Sequence, residues 1–296
     1  VADTDSAPPV MLGVTWNDTD ADNATGHGLI DQAIIQFSEV ITITDGTAGF
    51  DALEISDSNG SKTLDTYDFT ADASSQLTET ASDATLTVNF SGDQITGTGI
   101  DGLSVTYAQD GGTNSITDES GSLNEVRDTD VSLTYTDNAA PVIMEVTFND
   151  IDNNGDAGYG SIDQAVVEFS EEVTITDGGS LPVMVVEDGA SSGYVLDADG
   201  YAGTVSSVIL NFSGAEIPST SISGLTMTYD QTPTTSSIID GSSNEIVDGD
   251  DAQTYTDAAL PVVMESTWRD EDIDGSIDRV MLRFSELVTV VDGGAG

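Results

Sequence analysis

The chain has 296 residues and carries 54 acidic against 5 basic side chains, for a formal net charge of −49, with one histidine and no cysteine. A charge magnitude of roughly 2 to 8 suffices to keep a small domain soluble, so this excess implies cations nearby; it disfavours nucleic acid and anionic membrane surfaces, which are bound through Lys and Arg. Absent cysteines exclude a disulfide framework and thiolate metal sites, and no run of about 18 apolar residues offers a membrane span.

In chain order, the N-terminus "VADTDSAPPV" lacks the charged-then-apolar layout of a signal peptide. Residues 1–8 match the later linkers "TYTDNAAP" and "TYTDAALP" and read as the tail of a preceding module or a linker. "PVMLGVTWND" from Pro9 then returns as "PVIMEVTFND" from Pro141 and "PVVMESTWRD" from Pro261, with starts 132 and then 120 residues apart. "VNFSG" and "LNFSG", "GLSVTY" and "GLTMTY", and "SLNEV" and "SSNEI" repeat in step. The expected organisation is one module over 9–140, a second over 141–260, and the opening strands of an incomplete third over 261–296. Such a chain reads as a window on a longer array.

Within each module the hydrophobic period is two. Val10, Leu12, Val14 and Trp16 share one face, with counterparts Val142, Met144, Val146, Phe148 and Val262, Met264, Ser266, Trp268; Ala33, Ile35 and Phe37, and Leu86, Val88 and Phe90, repeat the pattern. Runs are short, rich in Val, Ile and Thr, and punctuated by Gly, Asp, Asn and Ser, with no apolar helical spacing. Seven or eight antiparallel strands per module predict an all-β chain of tandem immunoglobulin-like β-sandwich modules. A small barrel is the alternative.

An acidic loop comes after the first strand of every module. Asp270, Asp272, Asp274, Gly275 and Asp278 fit D-x-D-x-D-G-x-x-D, in which alternate side chains converge on one point and glycine permits a sharp turn. Met281 stands where an EF-hand would place its bidentate Glu, so the loop is of another kind, resembling the calcium loops between strands of integrin propellers. A last ligand must come from elsewhere, with Glu286 of "FSE" the candidate and Glu39 and Glu171 its equivalents. The second module offers Asp150, Asp152, Asn154 and Asp163, and the first Asp18, Asp20, Asp22 and Asp31. Hard oxygen donors in flexible geometry favour Ca²⁺ over Mg²⁺, while absent Cys and a lone His argue against zinc or copper. The competing explanation is that Asp, Asn and Gly simply make good turns.

The combination of "APVIMEVTFND", a D-x-D loop, "IDQAVVEFSEEV", "SSNEIVD" and "TYTD" resembles the tandem immunoglobulin-like modules of large bacterial and archaeal surface proteins: adhesins, surface-layer proteins and extracellular fibres. That resemblance implies extracellular or cell-surface display, calcium-dependent rigidity and a structural or adhesive role. The linkers "TDNAAP" and "TDAALP" resemble cadherin junctions, which implies calcium near Asp137 and Asp257, although other cadherin ligand motifs are missing. No nucleophile stands with a base: His27 is Tyr159 in the second module and reads as a solvent-exposed loop residue, so no enzymatic activity is expected. Trp16, Phe148 and Trp268 alternate with core residues and read as core, while Tyr67, Tyr159, Tyr194 and Tyr201 are freer but follow no pattern. This favours a stalk, layer or filament built by head-to-tail self-association, with an adhesin for a host or glycan receptor, these modules serving as its binding or spacer domains, as the alternative. Sequons occur at Asn17, Asn23, Asn59, Asn89 and Asn211, with Asn89 and Asn211 at equivalent outward positions where glycans would fit. Acidity with almost no Lys also fits adaptation to high salt.

Overall fold

Alternation at period two produces strands throughout. The computed structural model describes residues 6–20, 27–44, 53–57, 84–89, 95–109, 115–119, 124–127, 133–151, 159–176, 184–187, 193–197, 203–212, 216–230, 236–247 and 249–291. It is all-β, with no helix among the described residues. Two compact units divide the chain: Val1–Pro141 with Asp240–Asn244, and Val142–Ile239 with Glu245–Gly296.

The first unit contains β1 (Met11–Asn17), β2 (Leu29–Ile30), β3 (Gln32–Phe37), β4 (Ile41–Thr44), β5 (Leu53–Asp57), β6 (Thr85–Asn89), β7 (Ile95–Thr96), β8 (Leu103–Tyr107), β9 (Ser115–Asp118) and β10 (Thr134–Asp137). Its main sheet runs β10-β1-β3-β6, and β2–β7, β4–β9 and β5–β8 are two-stranded pairs. Val14, Trp16, Ala33, Ile35, Phe37, Leu86 and Val88 point inward and are at most 2% exposed. They join Leu53, Ile55, Val105, Tyr107 and Ile116 in one apolar cluster, as inner faces of packed sheets do.

The opening strand departs from simple alternation. A β-bulge between Met11 and Gly13 puts Leu12 outside at 47% exposure and Met11 inside. The inward set is therefore Met11, Val14 and Trp16 rather than Val10, Leu12, Val14 and Trp16, because one extra residue reverses the phase of the strand. The same bulge recurs between Ile143 and Glu145 and between Val263 and Glu265. Beside it, the serine of "FSE" clips the strand's start: Val10 N–H donates to Ser38 Oγ at 3.0 Å and Ser38 N–H to Val10 O at 2.9 Å. Ser170 with Val142 and Ser285 with Val262 repeat that clip.

β10 lies parallel to β1, pairing Gly13 with Thr134 through to Trp16 with Asp137. First and last strands thus run the same way. The chain enters at one pole and leaves from the other, and the loop after β1 shares the exit pole. The sheet's outward positions form three rows in register: Thr134, Gly13, Gln36, Thr85; Thr136, Thr15, Ile34, Thr87; and Asn138, Asn17, Gln32, Asn89. Amides in the third row bond in sequence, Asn138 to Asn17 at 2.7 Å, Asn17 to Gln32 at 3.1 Å and Gln32 to Asn89 at 2.8 Å. Tyr135 stacks on Trp16 with ring centroids 6.2 Å apart, and its hydroxyl accepts the Val105 N–H. Tyr107 donates to Glu125 at 2.8 Å and accepts the Ile116 N–H at 3.0 Å, which gives the repeated "TY" and "NE" segments a shared structural task.

The second unit contains β11 (Ile143–Asn149), β12 (Gln164–Thr176), β13 (Met184–Glu187), β14 (Gly193–Asp197), β15 (Gly203–Phe212), β16 (Thr226–Tyr229), β17 (Ser237–Ile239), β18 (Thr254–Asp257), β19 (Val263–Arg269) and β20 (Arg279–Phe284). Sheet order is β16-β13-β14-β15-β12-β11-β18, with β17 also on β12. β12 is a single strand of 13 residues where the first unit has β3 and β4; its first half pairs with β11 and its second with β17. β18 is again parallel to β11, Tyr255 stacks on Phe148, and Tyr229 bonds Glu245.

Among the described residues, β19 and β20 pair only with each other. Trp268 is 61% exposed where its equivalents Trp16 and Phe148 are fully buried, because no described strand covers this apolar face. The hairpin is held at its base: Ser219 Oγ donates to Ser285 O at 3.0 Å, and Thr220 Oγ1 lies 2.6 Å from Ser285 Oγ and donates to Glu286 Oε1 at 3.0 Å.

Candidate metal centres

Each acidic loop begins where a bulged first strand ends and closes where the second strand begins, so strand pairing brings its first and last carboxylates together. In the first unit, Asp18, Asp20 and Asp31 each offer an oxygen within 4.8 Å of the others. Asp18 Oδ1 accepts the Asp20 N–H at 3.2 Å and Oδ2 the Gly28 N–H at 2.6 Å. Thr19 donates its N–H and Oγ1–H to the two oxygens of Asp31 at 2.9 and 2.6 Å. Burial is the main reason the Asp18 carboxyl is held above the usual range; Asp31 acts in the same direction, against the Gly28 and Asp20 N–H groups and His27.

His27 corrects the sequence reading. Its side chain is 5% exposed and its Nδ1 lies 3.7 Å from Asp18 Oδ2, because the turn through Gly28, at φ 84°, that delivers the Gly28 N–H to Asp18 carries the preceding residue inward. The second unit repeats the turn with Gly160, at φ 88°, donating to Asp150 Oδ2 at 2.8 Å. Asp163 accepts the Ile151 N–H at 3.0 Å. Asp150 Oδ1 is buried and has no hydrogen-bond partner among the described residues.

The third loop is described throughout its length. Asp270 accepts from Asp274 N–H at 3.2 Å and Gly275 N–H at 2.9 Å, and Asp278 from Glu271 N–H at 2.8 Å. Asp270, Asp272 and Asp278 converge within 4.8 Å, whereas Asp274 turns to the Ser276 N–H at 2.8 Å. Gly275 has φ 92°, as its place in the motif requires, and Ile273 has φ 61°.

Asp22, Asp152 and Asn154 lie outside the described residues. Among the described residues, none of Glu39, Glu171 and Glu286 belongs to the carboxylate groups that converge in the loops. Glu286 comes after Phe284 at the far end of β20, and a six-residue strand is about 20 Å long. It stands instead beside Asp257, whose carboxyl is raised by partial burial and by Glu286. Asp137 and Asp257 make the same local turn, each accepting the N–H two residues on, from Ala139 and Ala259, at 3.1 Å. The sequons differ in access: Asn17 is buried within the amide row, while Asn89 and Asn211 lie on outer sheet faces, their Oδ1 atoms accepting from Gln32 and Gln164. Asn23 and Asn59 lie outside the described residues.

These donors suit a hard divalent cation. Two carboxylates about 5 Å apart repel by roughly 3 kcal/mol at an effective dielectric near 20, and the buried Asp150 Oδ1 gains no hydrogen bond from the described residues in exchange for its hydration. A cation bridging the converging oxygens answers both, since each oxygen that accepts one N–H keeps a second lone pair. Sequence reasoning missed Thr19 and the two loop glycines that aim the carboxylates; "D-T-D" and "G-H-G" carry that signal only once the strand register is known.

The second unit's loop also reaches the next repeat. A Cβ on Gly160 would stand 2.4 Å from Met264 Sδ and 2.7 Å from Val262 Cγ2, so the turn that holds Asp150 packs against the start of that repeat's first strand. No family model matches the chain, and a search of the curated proteins finds no match.

Proposed function

We propose that the chain is an extracellular structural repeat protein whose immunoglobulin-like modules bind calcium and stack end to end into a rigid stalk, surface layer or filament. The observation that carries this reading is the coincidence of three features at the exit pole of the second module. β18 leaves there because it runs parallel to β11. The loop bearing Asp150 and Asp163 lies there with a buried carboxylate oxygen that has no hydrogen-bond partner among the described residues. Gly160 of that loop seats Val262 and Met264 of the next repeat. A cation that orders the loop therefore also stiffens the connection to the next module, and nearest-neighbour stiffness is what lets a repeat array act as a rod.

Electron microscopy of the native material with and without chelator tests polymer and metal together. Rods or sheets that loosen when calcium is withdrawn are expected. Calorimetric titration of the chain with calcium counts the sites, and a stoichiometry of zero removes the metal from the proposal. A chelator at constant ionic strength should lower the melting temperature; a protein adapted only to high salt would ignore the chelator and respond to sodium or potassium concentration.

A further inference from the structure

We propose that the outer face of the β10-β1-β3-β6 sheet is a lateral contact surface for the same face of a second copy, so that chains associate side by side. This rests on the self-associating reading above but requires no metal.

The twelve outward positions of that sheet, in three rows of four, carry no ionisable side chain. At 54 acids in 296 residues, twelve positions would hold about two. Neutrality is not a property of the repeat: the equivalent face of the second unit sets Glu145 directly opposite Glu168, and the hairpin sets Arg269 opposite Arg279. Bodies carrying a net charge of −49 repel as they approach, and the approach is least opposed where charge is absent. Protein interfaces are likewise depleted of Asp and Glu at their centres.

The face is also ordered in advance. Its amide row is already fixed by hydrogen bonds of 2.7 to 3.1 Å, so little rotamer freedom is lost on contact. Ile34 stands at its centre between Thr15 and Thr87, giving a methyl-rich strip flanked by polar rows. No aromatic ring lies on it, which speaks against a sugar as the occupant. Strands spaced about 4.8 Å apart and three rows of residues give roughly 400 Å² per copy, half of what a stable dimer buries. A single contact is therefore weak, and arrays that present many copies of it gain by multivalency.

Because the chain has no cysteine, one introduced thiol reports the contact cleanly. Thr87→Cys on this face and Ile209→Cys at the equivalent place in the second unit are compared in the full chain under mild oxidant, with circular dichroism to show both folded. The disulfide-linked dimer is expected at least tenfold faster for Thr87→Cys, slower by several-fold when Gln36→Glu adds one charge to the face, and faster as salt screens the bodies. Gln36→Cys, at an exposed site on the same face, repeats the measurement if Thr87→Cys folds poorly. Equal rates for the two thiols, indifference to Gln36→Glu, or slowing with salt would overturn the proposal, as would a glycan on Asn89 of the native protein, which would stand on the face. Polymers seen by microscopy without selective cross-linking remove this face alone; selective cross-linking with no calcium uptake keeps the face and removes the metal.

Discussion

Gly160 and Met264 meet so closely that a β-carbon on the glycine would lie 2.4 Å from the methionine sulfur. Gly160 also has φ 88° and donates its N–H to Asp150. Gly160→Ala must therefore both strain the left-handed turn and push the β19–β20 hairpin away, at a cost of about 2 kcal/mol or more. With only 5 basic residues in the chain, three of them Arg269, Arg279 and Arg283, trypsin gives a clean readout: faster release of hairpin fragments is expected from the variant.

Asp18→Asn should act with opposite sign in two media. In chelator, neutralising a buried carboxylate beside Asp31 removes repulsion and should raise the melting temperature. In calcium at a hundredfold excess over its dissociation constant, the same change forfeits up to about 2.7 kcal/mol of linkage and should lower it. Melting curves that shift the same way in both media would reject the site.

Asp137 reverses the usual acid response of a carboxylate. Burial first, then Asp240 and Asp101, push it up to about 6 from 3.8. The folded state thus holds this proton more tightly than the unfolded state, so stability is fully present below about pH 4 and is lost as pH rises towards 6, by at most about 3 kcal/mol. Asp18 and Asp257, both raised, add in the same direction. Melting temperatures in chelator should fall between pH 4 and 6.5, and Asp137→Asn should flatten the curve.

Trp16 and Trp268 occupy the same place in the repeat with opposite burial. Trp16→Ala should cost about 3 to 5 kcal/mol and Trp268→Ala less than about 1, as read from urea midpoints.

Ile273 holds φ 61° in the third loop while its side chain is exposed. A β-branched residue pays about 1 to 2 kcal/mol for that conformation. Ile273→Asn should tighten calcium binding at this loop by relieving it, as calorimetry would show.

Strand identity and the repeat were legible because period-two patterning and recurring strings survive without any tertiary knowledge. Trp16, Ala33, Ile35 and Phe37 fall where alternation put them. Leu12 did not, since a one-residue bulge leaves no trace in hydrophobicity yet inverts the face. Asp18 with Asp31 and Asp270 with Asp278 were legible as loop ends joined by pairing. Glu286 was misplaced because proximity in sequence was taken for proximity in space, while an intervening extended strand carries it to the other pole, beside Asp257. His27 was misjudged because its burial depends on a glycine turn whose partner is ten residues away.

The parallel pairing of β1 with β10, and of β11 with β18, has a mechanical consequence. Tension entering through one linker and leaving through the next pulls these two strands past each other along their length, so all the hydrogen bonds between them bear load at once. A module built this way resists stretching by shear, whereas strands joined head to tail at one pole would unzip one bond at a time.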